Sequence, residues 1–339
     1  YMNVLVNGVG NIGTTLLALL IEHQSLLKIN TVFALKNKPM PWQEDDLNYI
    51  ASTGVRICSR NKDDAFENLD EIIDGIDYIF DCTNNGGGMQ NRQWYMGLPN
   101  LKGACAQGSE KNFGVSYMSG LNNEAIKGQK FVHVVSCNTH SLASLLSTFT
   151  GNELENHTNS DFVVVRRSED IGNHERLVAA NVVARHLDEH IGTHHSVDVI
   201  DLFETKNIHP SVTSSDVTTP SQFMHAVRFN IGLKKGLSKV DITALIDKSP
   251  CVSTSSKFDS NVIFERGRRI GFQGRIYSHA IIIANNMMIS ENSIKGWAFI
   301  PQEGNTLIST LNAFLIQMEH DQPENVMAEL RLNLLMERW

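Results

Sequence analysis

An α/β fold with a mainly parallel, doubly wound sheet is predicted for the first part of the chain, followed by an α+β domain with a mainly antiparallel sheet. Three observations predict this. Strands alternate with helix-like segments through about residue 135, longer strands then take over, and two helix-like runs close the chain. Residues 2–7 (MNVLVN) form an apolar run read as a buried strand, and 11–23 (NIGTTLLALLIEH) place apolar positions on one helical face. Further β-rich runs lie at 29–35 (INTVFAL), 77–83 (DYIFDCT), 103–106 (GACA) and 131–136 (FVHVVS). In the second part, 161–168 (DFVVVRRS), 211–218 and 222–233 (QFMHAVRFNIGL) read as longer strands. Alternation in the last suits a sheet with one face packed on helices. Residues 170–195 are polar and His-rich without a clear period and read as a long loop, whereas 303–319 and 324–338 read as helices. The domain plan is then 1–137 with 302–339 for one domain and 138–301 for the other.

Composition bounds the function. The 339 residues are 42% hydrophobic, enough for two cores, and the net charge of -8 comes with no basic stripe, which argues against a nucleic-acid partner. The five cysteines (Cys58, Cys82, Cys105, Cys137, Cys251) are odd in number and lack C-x-x-C spacing, so neither a disulfide frame nor a metal site is expected. Reduced thiols and a cytoplasmic location follow as expectations. No run approaches the roughly 18–20 apolar residues that span a bilayer, so no membrane partner is expected.

The most informative local pattern is G-V-G-N-I-G, which sets Gly8, Gly10 and Gly13, with Asn11 and Ile12 between them, directly after the first strand and at the opening of the first helix. Glycine there permits a tight turn, close approach of backbone to a pyrophosphate, and close helix–strand packing, while the helix N-terminus offers N–H groups to phosphate. This context predicts a Rossmann-type dinucleotide-binding domain with NADP or NAD as cofactor. An acidic residue normally ends the second strand to hold the ribose 2′-hydroxyl; here the chain reads Lys36, Asn37, Lys38. Lysines favour a 2′-phosphate, so use of NADP at least equal to that of NAD is one reading, and two solvent-facing lysines the other.

A second pattern carries the chemistry. V-V-S-C-N-T-H-S-L-A-S-L-L (134–146) ends a strand at Ser136 and opens an apolar-periodic helix near Asn138. Cys137 thus sits at a helix start, where unpaired N–H groups and the helix dipole are expected to lower its pKa and make it a nucleophile toward an aldehyde. Such a reaction also needs a base, and thirteen histidines compete for that role.

Taken in order, N-G-V-G-N-I-G, C-T-N-N-G (82–86), A-Q-G-S-E-K (106–111), V-S-C-N-T (135–139), V-V-R-R (164–167), T-H-H-S-V-D-V (193–199) and M-H-A-V-R-F-N-I (224–231) resemble the archaeal-type (type II) glyceraldehyde-3-phosphate dehydrogenases across nearly the whole chain. The resemblance implies phosphorylating oxidation of glyceraldehyde 3-phosphate with NAD(P)+ and inorganic phosphate, giving 1,3-bisphosphoglycerate through a thioester on Cys137. It implies His225 as base. Arg167, Thr139, His194 and His195 fall at positions that bind substrate phosphates or lie near the cofactor, with Arg167 taken as a cofactor contact. Thr83 and Gln107–Gly108–Ser109 fall in cofactor-lining loops, and Ser136 and Asn138 flank the nucleophile, where the Asn138 N–H or the Cys137 N–H is a candidate oxyanion donor. Relatives are homotetramers, so a homotetramer is the expected assembly.

The resemblance departs at several positions. His140 stands where relatives have a second threonine, and Val227 where they have another histidine. Ile294, Lys295, Gly296 and Trp297 replace a His-Gln-Glu-Ser run, and Gln302 and Glu303 follow Pro301, leaving Asn305 as the candidate polar contact to the nicotinamide end. Two rival readings follow: a sister dehydrogenase acting on another phosphorylated aldehyde or semialdehyde, and a nucleotide-binding paralogue that no longer catalyses.

Overall fold

The computed structural model describes residues 1–62, 65–170, 178–221 and 223–333. Residues 171–177 of the expected loop, the first residue of the 222–233 strand and the 334–338 end of the last expected helix lie outside the described residues. Two compact units are formed, one from Tyr1–Ser119, Asn123–Val135 and Leu307–Leu330, the other built on Gly120–Asn122 and Ser136–Thr306.

The first unit holds a sheet of strands β1 (Met2–Asn7), β2 (Ile29–Leu35), β3 (Arg56–Ser59), β4 (Glu67–Asn68), β5 (Tyr78–Asp81), β6 (Gly103–Gln107), β7 (Val115–Tyr117) and β8 (Phe131–Val134). Their order is β4-β3-β2-β1-β5-β6-β8-β7, and every pairing among them is parallel. Helices α1 (Asn11–Glu22), α2 (Glu44–Ser52), α3 (Leu69–Ile72) and α4 (Gly87–Met96) connect strands. The strand order reverses between β1 and β5, which opens a crevice at their carboxyl ends. Central strands are apolar on both faces because both are covered. Ile79 joins a cluster with Leu5, Phe33, Leu101 and Phe113. Its neighbours Tyr78 and Phe80 point the other way, onto Phe314, with Tyr78 edge-on at 5.0 Å.

The second unit is a mixed, mostly antiparallel sheet. Its strands are β9 (His157–Arg166), β10 (Val182–Val183), β11 (Val212–Thr218), β12 (His225–Leu233), β13 (Val252–Ser255), β14 (Ala280–Ile283), β15 (Met288–Ser290) and β16 (Ser293–Ile300). The order is β10-β11-β9-β12-β16-β14-β13, with β15 on β16. Helices α5 (Cys137–Thr150), α6 (His194–Glu204), α7 (Lys239–Lys248) and α8 (Ser260–Ile270) accompany it. Alternation in β12 buries His225, Val227, Phe229 and Ile231 on one face. Phe229 stacks on Phe149 of α5 at 5.8 Å, so this is the face that α5 covers. The remaining helices, α9 (Leu307–Gln317) and α10 (Pro323–Asn333), follow the last strand of this unit in the chain. Among the described residues no helix is long and apolar enough to cross a membrane.

Several expected boundaries move: β9 begins at His157 and ends at Arg166, β12 begins at His225, and α9 begins at Leu307. The stretch 170–195 is not all loop: β10 lies inside it, and His194 and His195 open helix α6.

Candidate active site

The glycine turn sits where the strand order reverses. Gly8 has φ +106, and a Cβ there would meet the Cys82 carbonyl oxygen at 2.7 Å. A Cβ on Gly13 would run into the Gly8 carbonyl oxygen. Gly10 differs: a Cβ would find nothing within 4 Å, and α1, which Gly10 caps, has no side-chain cap on its first turn. An open approach to bare helix N–H groups fits a pyrophosphate. Asn11 is exposed and Ile12 half-buried beside it. A cavity of about 180 Å³ next to the turn is lined by Val9, Thr14, Lys36, Asp46 and Tyr49 among others, which fits the adenosine end of a dinucleotide. Asp46 was not visible as a lining residue in the sequence, since only the fold of α2 brings it there. The turn yields a contrast: Gly13→Ala should cost at least about 2 kcal/mol of stability through backbone overpacking. Gly10→Ala should leave stability within about 1 kcal/mol and raise the cofactor KM about tenfold or more. Denaturant melts and initial rates check both; equal stability losses would sink the contrast.

Other expected cofactor positions are held internally. The Thr83 hydroxyl donates to Asp81 Oδ1 at 2.5 Å, and the Gly108 carbonyl accepts from His133 Nε2 at 2.6 Å. Ser109 is exposed. The N-terminus of α4 is closed by Glu110, whose carboxylate accepts from the Gly86 and Met89 N–H groups. Of these two helix starts, that of α1 is the one left open to an anion.

In the second unit Cys137 is the first residue of α5, one position earlier than the expected start. Ser136 is the N-cap: its Oγ accepts from the Thr139 N–H at 3.3 Å and pairs with the Thr139 hydroxyl at 2.9 Å. Thr139 is fully buried and Asn138 nearly so. Both therefore build the turn that presents Cys137, and the hydroxyl of Thr139 is spent on Ser136. Asn305, expected at the nicotinamide end, instead donates its amide to the Cys137 carbonyl at 3.0 Å and to the His279 carbonyl at 3.2 Å. It ties the first residue of α5 to the segment before β14.

The expectation of a lowered thiol pKa is overturned. Burial pushes the Cys137 thiol up to about 11, and the Arg167 guanidinium opposes that rise without cancelling it. Helix N–H groups favour a thiolate only modestly, whereas desolvation of the sulfur charge is the larger effect here. His225, at the start of β12, is buried on the α5 face. Its Nδ1 accepts the Arg167 backbone N–H at 2.9 Å, so the ring proton resides on Nε2. Burial, then the charge of Arg167, holds its pKa well below the usual histidine range. The ring expected to act as base thus starts as a neutral Nε2–H donor, and it accepts a proton at Nδ1 only by giving up the Arg167 bond. The His225 N–H donates to Gln302 Oε1 at 3.0 Å, which fixes the strand end.

Arg167 joins these residues. Its charge acts on the Cys137 sulfur and its backbone holds His225. The side chain is nearly buried, with Nη2 2.6 Å from Glu303 Oε1 and 2.7 Å from Asp170 Oδ1, while Glu303 Oε2 takes Arg275 at 2.8 Å. Arg167 is therefore committed to carboxylates of its own unit, where the sequence expected a cofactor contact. Glu303, which the sequence marked only as a departure, is the anchor of this network.

His194 and His195 open α6 with their rings 3.9 Å apart. Ser214 of β11 pins that helix start, pairing with Thr193 Oγ1 at 2.7 Å and accepting from the Ser196 N–H at 3.0 Å. Alternation in β11 buries Val212, Ser214 and Asp216 on one face, which brings Asp216 to His195. Asp216 was missed in the sequence; the alternation of β11 was the available signal.

A parallel sheet with a glycine turn at its reversal point, in a chain that also holds a cysteine at a helix start and a buried histidine, each linked to Arg167, is the build of a Rossmann-like oxidoreductase. Comparison with known proteins sharpens this. No family model matches the chain. It is 22% identical over 334 residues to a glyceraldehyde-3-phosphate dehydrogenase of Saccharolobus solfataricus, covering 96% of this chain and 95% of that protein. The same name belongs to a Saccharolobus islandicus protein 22% identical over 310 residues, covering 89% and 88% of the two chains. A Methanobacterium bryantii protein of that name is 25% identical over 271 residues, 76% of each chain. These similarities support a dehydrogenase of the glyceraldehyde-3-phosphate dehydrogenase type and, with the Rossmann-like sheet, a nicotinamide dinucleotide cofactor.

Proposed function

We propose that the protein is a phosphorylating glyceraldehyde-3-phosphate dehydrogenase acting through a thioester on Cys137. The observation that carries the reading is the convergence on Arg167, which bears at once on the nucleophile's sulfur and on the buried histidine. In this reading the Cys137 sulfur bonds to the aldehyde carbon of glyceraldehyde 3-phosphate, and its proton ends on the aldehyde oxygen. The Nε2–H of His225 donates to that oxygen as charge develops there, and the Asn138 N–H is a second donor. Gly8, Gly10, Gly13 and Lys36 would hold a nicotinamide dinucleotide, which would supply the hydride acceptor, while the hydroxyl proton of the thiohemiacetal passes to solvent as the thioester carbonyl forms. Inorganic phosphate then attacks the thioester carbon, the Cys137 sulfur leaves, and 1,3-bisphosphoglycerate is released. His194, His195 and Arg166 are assigned to the substrate phosphates, since imidazole N–H groups and a guanidinium suit phosphate oxygens. A homotetramer is the assembly proposed with it.

The assay is reduction of NAD+ and of NADP+ by glyceraldehyde 3-phosphate, with and without inorganic phosphate, in wild type and Lys36→Ala. Turnover is expected to require phosphate. Lys36→Ala should lower kcat/KM for NADP+ about tenfold or more, the worth of a hydrogen bond to a charged group, and leave NAD+ little changed. Phosphate-independent turnover would overturn the phosphorylating reading, and an unaltered NADP+/NAD+ ratio would remove Lys36 from cofactor selection.

A further inference from the structure

We propose that His194, His195 and Asp216 form a binding site for a divalent transition-metal ion of the zinc class, with one coordination position left open. Each residue offers one ligand atom, and the three atoms lie within 4.8 Å of one another. An ion equidistant from three donors at that largest separation would be about 2.8 Å from each, so closure by less than about 1 Å per donor reaches a zinc–nitrogen bond of about 2.0–2.1 Å. Two imidazoles and a carboxylate are a donor set suited to borderline ions of this kind, and three protein ligands leave room for a fourth from outside.

The independent observation is polar satisfaction. His195 and Asp216 are almost fully buried, at 1% and 2% exposure. Yet both ring nitrogens of His195 and both carboxylate oxygens of Asp216 lack a hydrogen bond. His195 Nε2 and Asp216 Oδ2 stand 3.2 Å apart in an ion-pair contact, which leaves His195 Nδ1 and Asp216 Oδ1 with no partner. Two buried polar atoms left in this way are costly unless something occupies the space beside them. The frame is rigid: the Ser214 hydroxyl and the Thr193–Ser196 turn fix the start of α6 against β11. Charges around the cluster are mixed. Arg166 opposes a cation here, while Asp216 meets its charge directly and Asp198, one turn along α6, adds a second negative group facing His194. The sequence excluded a metal site on cysteine spacing alone; this cluster is assembled from two elements distant in sequence. Occupied, it withdraws both imidazoles from the phosphate role proposed above.

The test is Co2+ titration of the full chain in a Cys137→Ser background, which removes the competing thiol, followed by visible absorption and equilibrium dialysis. One Co2+ per chain is expected, with the intense visible bands of a four-coordinate site, and Zn2+ should displace it. Asp216→Asn and His194→Gln should each weaken Co2+ binding by more than about 100-fold. His194 is only partly buried, so His194→Gln remains decisive if Asp216→Asn fails to fold. Equal Co2+ affinity in wild type and His194→Gln, or absorption seen only when Cys137 is intact, would overturn the site. The readout is binding without turnover, so a failed dehydrogenase assay leaves it standing.

Discussion

Cys137→Ser is expected to lower phosphate-dependent turnover by about 10⁴-fold or more, because a serine hydroxyl at the same helix start is a far weaker nucleophile than the sulfur it replaces. Residual turnover within about tenfold of wild type would remove the thioester from the reaction. Wild-type thiol labelling supplies the companion result. With the resting thiol pushed up to about 11 by burial, the thiolate fraction rises about tenfold per pH unit from neutrality to pH 10. Alkylation of Cys137 by a small neutral reagent should climb with that slope. A rate already flat at pH 7 would show a preformed thiolate and contradict the desolvated resting state. The sign follows from the charge: burial penalises the anion, so alkali creates the reactive form.

Glu303→Gln should be the most destabilising of the polar substitutions near this site. It leaves the nearly buried Arg167 guanidinium with only the exposed Asp170, and Arg275 without its carboxylate. Breaking a buried ion pair by removing one partner costs about 3–5 kcal/mol, mostly through the uncompensated charge that remains. Replacing both sides, as in Arg167→Met with Glu303→Leu, should cost less than the sum of the single changes. Urea unfolding of the four proteins in this cycle measures the coupling. Additive losses would mean that the carboxylate and the guanidinium do not depend on each other. The network carries a functional consequence as well, since Arg167 holds the Nδ1 of His225 and tempers the Cys137 thiol.

Much of the first unit was legible because its strands are short apolar runs between turn signals. β1 and β2 match the predicted runs residue for residue, and β5, β6 and β8 differ by a few at their ends. The glycine turn was readable for the same reason: strand, turn and helix are adjacent in sequence, and the steric demand on Gly8 and Gly13 is local. Polar α2 gave no comparable apolar stripe, so its contribution of Asp46 and Tyr49 to the cavity beside Lys36 was not foreseen. In the second unit the strand alternation of β12 identified a buried face but not what covers it. Ser136, Asn138 and Thr139 could be placed next to the nucleophile, yet whether they face a ligand or brace the turn depends on partners found only after folding.

The linear order of residues by itself determined the alternation of strands and helices, the glycine turn at an open helix start, and a cysteine at the head of another helix. Each of these depends on neighbours within a few positions, where backbone sterics and periodic burial act. Tertiary structure alone decided which charges meet: Glu303 on Arg167, Asp216 beside His195, the Arg167 N–H on His225 Nδ1. It also decided the sign of the thiol shift, because desolvation is set by everything packed around the sulfur, and helix position contributes only one part of that field.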